Sequence, residues 1–354
     1  MKKILISVIV DLFRDDGTTV RPKRVAEILK NDYDVTMVTR SSEDEVLGDP
    51  DIDVKVIKPS GTKLWNFKLI PFIIRNKYDF IYCSNDLFGF LTYHAISKFY
   101  KYKIIFEAHS ILSEELKERK VNKLKVRFYK LLEKFVVKNS DFVVALSENT
   151  LNFYKKYNKN IEMVPVFMDG ELFKREKEKI NGSNIKNVGL IGPFKNFGNQ
   201  YFLDFLYQNI EKFDDNIKVV LIGKCNKKIE NTKISYTGYI KDKSEYIKTL
   251  SSLDAVLVPS KIATLGPLNK ILEPMACSVP VFTTPKGVVG LYNYENGKNI
   301  LIFKEEKLVE GINEHIFDNG LMEKVGKEGR AYFEKYYSKK VNENKLLNIF
   351  KRYC

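Results

Sequence analysis

The chain has 354 residues, 44% hydrophobic and 29% charged, with Lys and Arg outnumbering Asp and Glu by 59 to 45. That length exceeds one ordinary domain and suits two of roughly 150 residues, each able to bury a core without disulfide or metal staples. The composition excludes a disordered chain, and the longest apolar run, 69–74 with Pro71 inside it, falls far short of the ~20 residues of a membrane span.

The net charge of +14 attracts anions: nucleic acid, anionic lipid or phosphorylated small molecules. Solvated surface lysines account for such an excess equally well. No paired Cys/His finger, RNP-like strand or basic zipper occurs, so no nucleic-acid partner is expected. The cysteines at 83, 225, 277 and 354 have no metal-ligand spacing and read as reduced thiols, with no metal site. Lys2 and Lys3 precede an apolar stretch without a cleavage site, so the expected location is cytoplasmic.

Short β-branched runs at 4–10, 35–39, 54–57, 80–84, 103–108, 142–147 and 161–166 read as strands, with amphipathic segments between them at 22–30, 87–100 and 113–138. The stretch 174–184, KREKEKINGSN, has no apolar period and reads as a linker. The pattern then restarts at 187–191, 219–222, 234–239, 255–258, 279–283 and 300–303, and helical segments at 306–316, 321–336 and 339–352 close the chain. Alternation of this kind predicts an α/β protein with two tandem Rossmann-like, doubly wound domains facing a cleft. The expected spans are 1–172 and 186–337, a linker at 173–185, and a last helix in 338–354 returning to the first domain.

Neither half carries G-x-G-x-x-G after its first strand, and neither G-x-x-x-x-G-K-[ST] nor G-x-S-x-G occurs, so no dinucleotide cofactor is expected. What remains is anion binding at helix N-termini, through free amides and the helix dipole. Segment 255–291 fits this best: a strand ends at Pro259–Ser260, a Gly/Pro-rich loop follows, and a short helix begins near Leu268. Proline is tolerated near a helix start, so Pro274 places that start close to Gly266–Asn269. Lys270 and Glu273, three apart, then share one face. They read either as an ion pair on a solvent-facing helix or as a pocket in which amides and Lys270 meet a diphosphate while Glu273 accepts ribose hydroxyls.

The run ILEPMACSVPV at 271–281 resembles L-L-E-A-M-A-x-G-x-P-V, the hallmark of the group 1 glycosyltransferases of family 4, with Pro274 and Ser278 departing from Ala and Gly. GPLNKILE at 266–273 resembles a variant of it with Asn-Lys before the glutamate. The resemblance implies the GT-B fold and a retaining transfer from a UDP- or GDP-sugar to a hydroxyl acceptor. It further implies Glu273 on the nucleotide ribose and Gly266, Leu268, Asn269 and Lys270 around the diphosphate. The family's first glutamate is missing: Leu265 stands eight residues before Glu273. VGLIG at 188–192 resembles the strand opening the donor domain, which brings Gly192 and Lys195 into the donor site. DDGTTVRP at 15–22 retains one of the family's paired glycines, Gly17, and Pro22 there suits a helix N1 position. FEAHS at 106–110 resembles the family's T-x-H, so His109 is expected beside the reacting sugar. The expected catalytic set is His109, Lys270 and Glu273.

Two basic amphipathic stretches bear on the acceptor. Residues 63–75 hold the only Trp, and residues 120–138 carry seven Lys or Arg with Leu124, Phe128, Leu131 and Phe135 at helical spacing. Such helices flank a Rossmann-like sheet, or lie at an anionic bilayer surface and serve a lipid-linked acceptor on the inner face of the membrane. The alternatives to transfer are a catalytically silent GT-B subunit and a nucleotide-sugar epimerase of the same fold.

Overall fold

A computed structural model describes residues 1–8, 11–12, 17–40, 52–57, 68–173, 184–194, 197–225, 227–261 and 266–352. The chain divides into one unit of Met1–Val166 with Glu343–Cys354 and a second of Phe167–Asn342. Residues 167–172 thus count with the second unit, and most of the expected linker lies outside the described residues.

The first unit carries strands β1 (Lys3–Val8), β2 (Asp34–Arg40), β3 (Asp53–Ile57), β4 (Phe80–Ser84), β5 (Lys103–Ala108), β6 (Phe142–Ala145) and β7 (Ile161–Met163). They form one parallel sheet in the order β3-β2-β1-β4-β5-β6-β7. Every residue of β4 and β6 is buried, as expected of strands covered on both faces. The helices are α1 (Gly17–Leu29), α2 (Ile70–Asn76), α3 (Leu87–Ile96), α4 (Leu112–Glu118), α5 (Lys123–Asn139) and α6 (Glu148–Tyr154).

The second unit repeats the theme with β8 (Lys186–Ile191), β9 (Ile217–Ile222), β10 (Ile234–Gly238), β11 (Ala255–Val258), β12 (Val281–Thr283) and β13 (Leu301–Ile302). Its parallel order is β10-β9-β8-β11-β12-β13. Helices α7 (Phe197–Asn209), α8 (Lys243–Ser251), α9 (Asn269–Ala276), α10 (Leu308–His315) and α11 (Asn319–Tyr337) accompany it, and α12 (Lys339–Arg352) ends the described chain. Phe350 of α12 packs on Tyr82 (5.9 Å between ring centroids), Phe80 (5.7 Å) and Tyr33 (5.8 Å) of the first unit. In each sheet the strand order reverses beside the first strand, between β1 and β4 and between β8 and β11, which is where open α/β sheets bind ligands.

Three local readings change. Helix α1 begins at Gly17, so Pro22 lies inside it rather than at N1. The segment 113–138 is two helices, broken at Arg119–Asn122, with the Asn122 side chain capping α5 by accepting from Leu124 N–H (2.8 Å). On α5 the core face is Leu132, Glu133, Val136 and Val137. The stripe of Leu124 (76% exposed), Phe128 (52%), Leu131 (60%) and Phe135 (42%) faces outward, so the two alternatives for this segment fall on different faces of one helix.

Candidate functional site

In the first unit the carboxyl ends of β4 and β5 gather a buried polar cluster. Glu107, the fifth residue of β5, is fully buried. A lone buried carboxylate is costly, and here every lone-pair direction is answered. Arg21 Nε donates to its Oε2 at 2.8 Å, and Tyr82 Oη donates to the same oxygen at 2.5 Å. On the other side, Ser84 Oγ donates to Oε1 at 3.0 Å, and His109 Nε2 lies 2.8 Å from that atom. Burial alone would push the Glu107 carboxyl up. The Arg21 guanidinium beside it, with the bonds from His109 and Tyr82, holds it well below the usual carboxylate range. Arg21, itself buried, also donates to the carbonyls of Pro165 (3.0 Å) and Val164 (3.2 Å), the last residues but one and two of this stretch of the unit.

His109 is about a quarter exposed, so one edge of its ring reaches solvent while Nε2 is held. Ser84 Oγ is also 3.1 Å from Nε2. Serine and glutamate therefore share one ring nitrogen, whereas a nucleophilic triad needs them on opposite nitrogens. The cluster orients a histidine and does not activate a serine. Nearby, Asp86 caps α3 by accepting from Gly89 N–H (2.8 Å) and also accepts from Ser7 Oγ of β1 (2.9 Å). Asn85 between them takes a left-handed φ of 54°. Gly17 is the first residue of α1.

The second unit holds the other expected residues at α9. Its N-cap is Leu268, and no side chain caps it among the described residues. The Leu268 carbonyl accepts from Ile271 and Leu272 N–H, which closes the first turn of the helix. Asn269 opens the helix with its Oδ1 buried and without a partner among the described residues. Lys270 is half-buried, its Nζ 4.3 Å from the centroid of the Phe202 ring. Burial pushes its ammonium down to about 7, with Glu273 opposing. Glu273 accepts a 2.6 Å bond from Tyr246 Oη of α8 on Oε2.

Pro274 sits sixth of eight residues, not near the start. The helix ends two residues further on. Ser278 N–H donates to Met275 O (3.0 Å) and Val279 N–H to Pro274 O (2.9 Å), the paired bonds of a Schellman stop. Ser278, at φ 57°, occupies the left-handed position where glycine is usual. Arg330 of α11 ties the end down, donating to the carbonyls of Gly170 (2.9 Å), Phe173 (3.2 Å) and Ala276. Gly290 lets the segment after β12 lie against the loop, since a Cβ there would stand 2.2 Å from the Gly266 carbonyl carbon. The Gly192 amide is engaged, donating to Ile222 O at 3.0 Å. Lys195 and Leu265 lie outside the described residues.

Arg21, Tyr82 and Ser84 in the first cluster and Tyr246, Phe202 and Arg330 in the second had no assigned role in the sequence. Glu107 beside His109, an acid in an apolar strand, was the one signal available.

Two doubly wound parallel units in one chain are the architecture of the GT-B fold. Residues 19–171 match the family model for Glycosyltransferase Family 4, and residues 185–318 match that for Glycosyl transferases group 1. The chain belongs to this family and is a glycosyltransferase. An uncharacterized glycosyltransferase of Methanocaldococcus jannaschii is 24% identical over 299 residues, covering 76% of this chain and 72% of that protein. Among solved structures, sucrose-phosphate synthase from Thermosynechococcus elongatus superposes with a TM-score of 0.78 at 15% identity, over 99% of each chain. Anabaena HepE in complex with UDP-glucose gives 0.77 at 15% identity, over 99% of this chain and 100% of that one.

Proposed function

We propose that the chain transfers a sugar from a UDP- or GDP-sugar, with retention at the anomeric carbon, to a hydroxyl of a glycan or lipid-linked acceptor. The carrying observation is the α9 N-terminus, which no side chain caps among the described residues and where Lys270 and Glu273 share one short helix. The dipole and first-turn amides favour a diphosphate there. Lys270 adds a charge that strengthens as the phosphates replace water, and preorganised donors of this kind stabilise a departing nucleotide. Tyr246 donates to Oε2 of Glu273 and so orients the carboxylate that would accept ribose hydroxyls. His109 acts on a sugar hydroxyl. UDP-glucose in the Anabaena relative supports a nucleotide-sugar donor.

The outward stripe of α5 supports contact with an anionic membrane at the cytoplasmic face. Leu124, Phe128, Leu131 and Phe135 give apolar surface, and Lys123, Lys125, Arg127, Lys130, Lys134 and Lys138 surround it, the composition that favours the interface of anionic bilayers. No helix among the described residues is long and apolar enough to cross a membrane. Incubation with mixed nucleotide sugars, followed by native mass spectrometry, tests the donor assignment. Retention of a UDP- or GDP-sugar supports it, and retention of none, together with no heat of binding for UDP or GDP, rejects it.

A further inference from the structure

We propose that Glu107 is a positioning residue that selects the tautomer of His109, fixing the proton on Nε2 and presenting Nδ1 as a hydrogen-bond acceptor. The inference starts from the division of labour on the carboxylate. Oε2 faces Arg21 Nε, a group that only donates, and Tyr82 Oη. Oε1 faces Ser84 Oγ and His109 Nε2. An ionised carboxylate only accepts, so a neutral imidazole 2.8 Å away must bring its N–H to it; an unprotonated Nε2 would set two lone pairs against each other. Ser84 reinforces the choice: with its own proton on Oε1, its oxygen is free to accept from Nε2–H at 3.1 Å.

Nδ1 is left without a bond to any described residue, on a ring that is 26% exposed. An acceptor there receives a hydrogen bond from a sugar hydroxyl, whereas the opposite tautomer would present an N–H and donate to a hydroxyl oxygen. This last step rests on the transferase reading; the tautomer itself does not. Arg21 is the keystone, because it keeps Glu107 ionised in a fully buried position and fixes which oxygen faces the ring.

The isosteric variant Glu107→Gln makes the test sharp. Its amide nitrogen cannot face Arg21 Nε–H, so the amide oxygen must take the Oε2 place and the NH2 group must face His109. A donor facing Nε2 drives the ring proton to Nδ1. The protein is labelled with 15N-histidine and observed at about pH 8, where ordinary imidazoles are neutral, by long-range proton–nitrogen correlation. With three histidines in the chain, His94 and His315 are assigned by single substitution. The expected spectrum shows His109 protonated on Nε2 in the wild type and on Nδ1 in Glu107→Gln. A wild-type ring protonated on Nδ1 overturns the proposal without any variant, and so does a folded Glu107→Gln protein that keeps its proton on Nε2. Turnover then separates the two levels. Asparagine places a polar atom near the Nδ1 position and glutamine near Nε2, so His109→Asn should retain at least tenfold more kcat than His109→Gln. The reverse order with the tautomers as expected rejects the sugar contact while leaving the Glu107 assignment intact.

Discussion

Replacing Lys270 by methionine isolates one charge in the donor site. The thioether side chain keeps an apolar stem against Phe202, whose ring centroid lies 4.3 Å from the ammonium, and removes only the cation. Burial holds this lysine at about 7, so in the free protein it is about nine-tenths charged at pH 6 and about one-tenth charged at pH 8. If only the charged form grips the diphosphate, wild-type affinity for a nucleotide sugar falls about tenfold across that interval, roughly 1.4 kcal/mol. A nucleotide sugar is the right probe because its diphosphate is esterified at both ends and lacks the terminal-phosphate ionisation near pH 6. At pH 6 the variant should bind about 10- to 150-fold more weakly, the ~1.5–3 kcal/mol of a charged hydrogen bond, and its affinity should be flat from pH 6 to 8. Stability moves the other way. A lysine whose folded pKa lies below its unfolded one destabilises the fold at pH values below the unfolded pKa, and most at pH below about 7, so Lys270→Met should melt no lower than wild type at pH 6. Isothermal calorimetry at pH 6, 7 and 8 decides. A wild-type slope that persists in Lys270→Met would refute the reasoning, because the titrating group would then lie elsewhere.

Glu273→Ala should weaken nucleotide binding by ~1–3 kcal/mol, read by calorimetry with UDP and GDP; unchanged affinity would mean that the pocket is misassigned. Arg21→Met leaves Glu107 buried beside a lost partner and should cost ~3–5 kcal/mol of stability in chemical denaturation. Ser278→Gly relieves the left-handed φ of 57° at the end of α9 and should raise stability by ~1 kcal/mol; a loss would show that the serine makes a compensating contact. The double change Phe128→Glu and Leu131→Glu, both outward on α5, should abolish flotation with anionic vesicles while leaving the melting temperature unchanged. Flotation that survives it places membrane contact on another surface.

The thirteen strands among the described residues fall on the β-branched runs that mark them in the sequence, and central ones such as β4 and β6, buried on both faces, leave an uninterrupted apolar signature. Helix faces were less legible. Helix α5 carries two apolar stripes, 124–128–131–135 and 132–136–137, and periodicity finds both without saying which one the sheet covers. Pro22 and Pro274 misled for one reason: proline is easiest to place at a helix start, yet α1 runs past one and α9 carries the other in its last turn. The sites show the same limit at longer range. His109 and Glu273 lie in short motifs, but what disposes them is distant in the chain: Arg21 is 86 residues from Glu107, and Tyr246 is 27 from Glu273. A motif names the group that meets the substrate. The charge state, the tautomer and the orientation of the carboxylate are set by partners that only folding brings within 3 Å. For that reason the His109 tautomer can be argued from Arg21 and Ser84, and could not be argued from FEAHS.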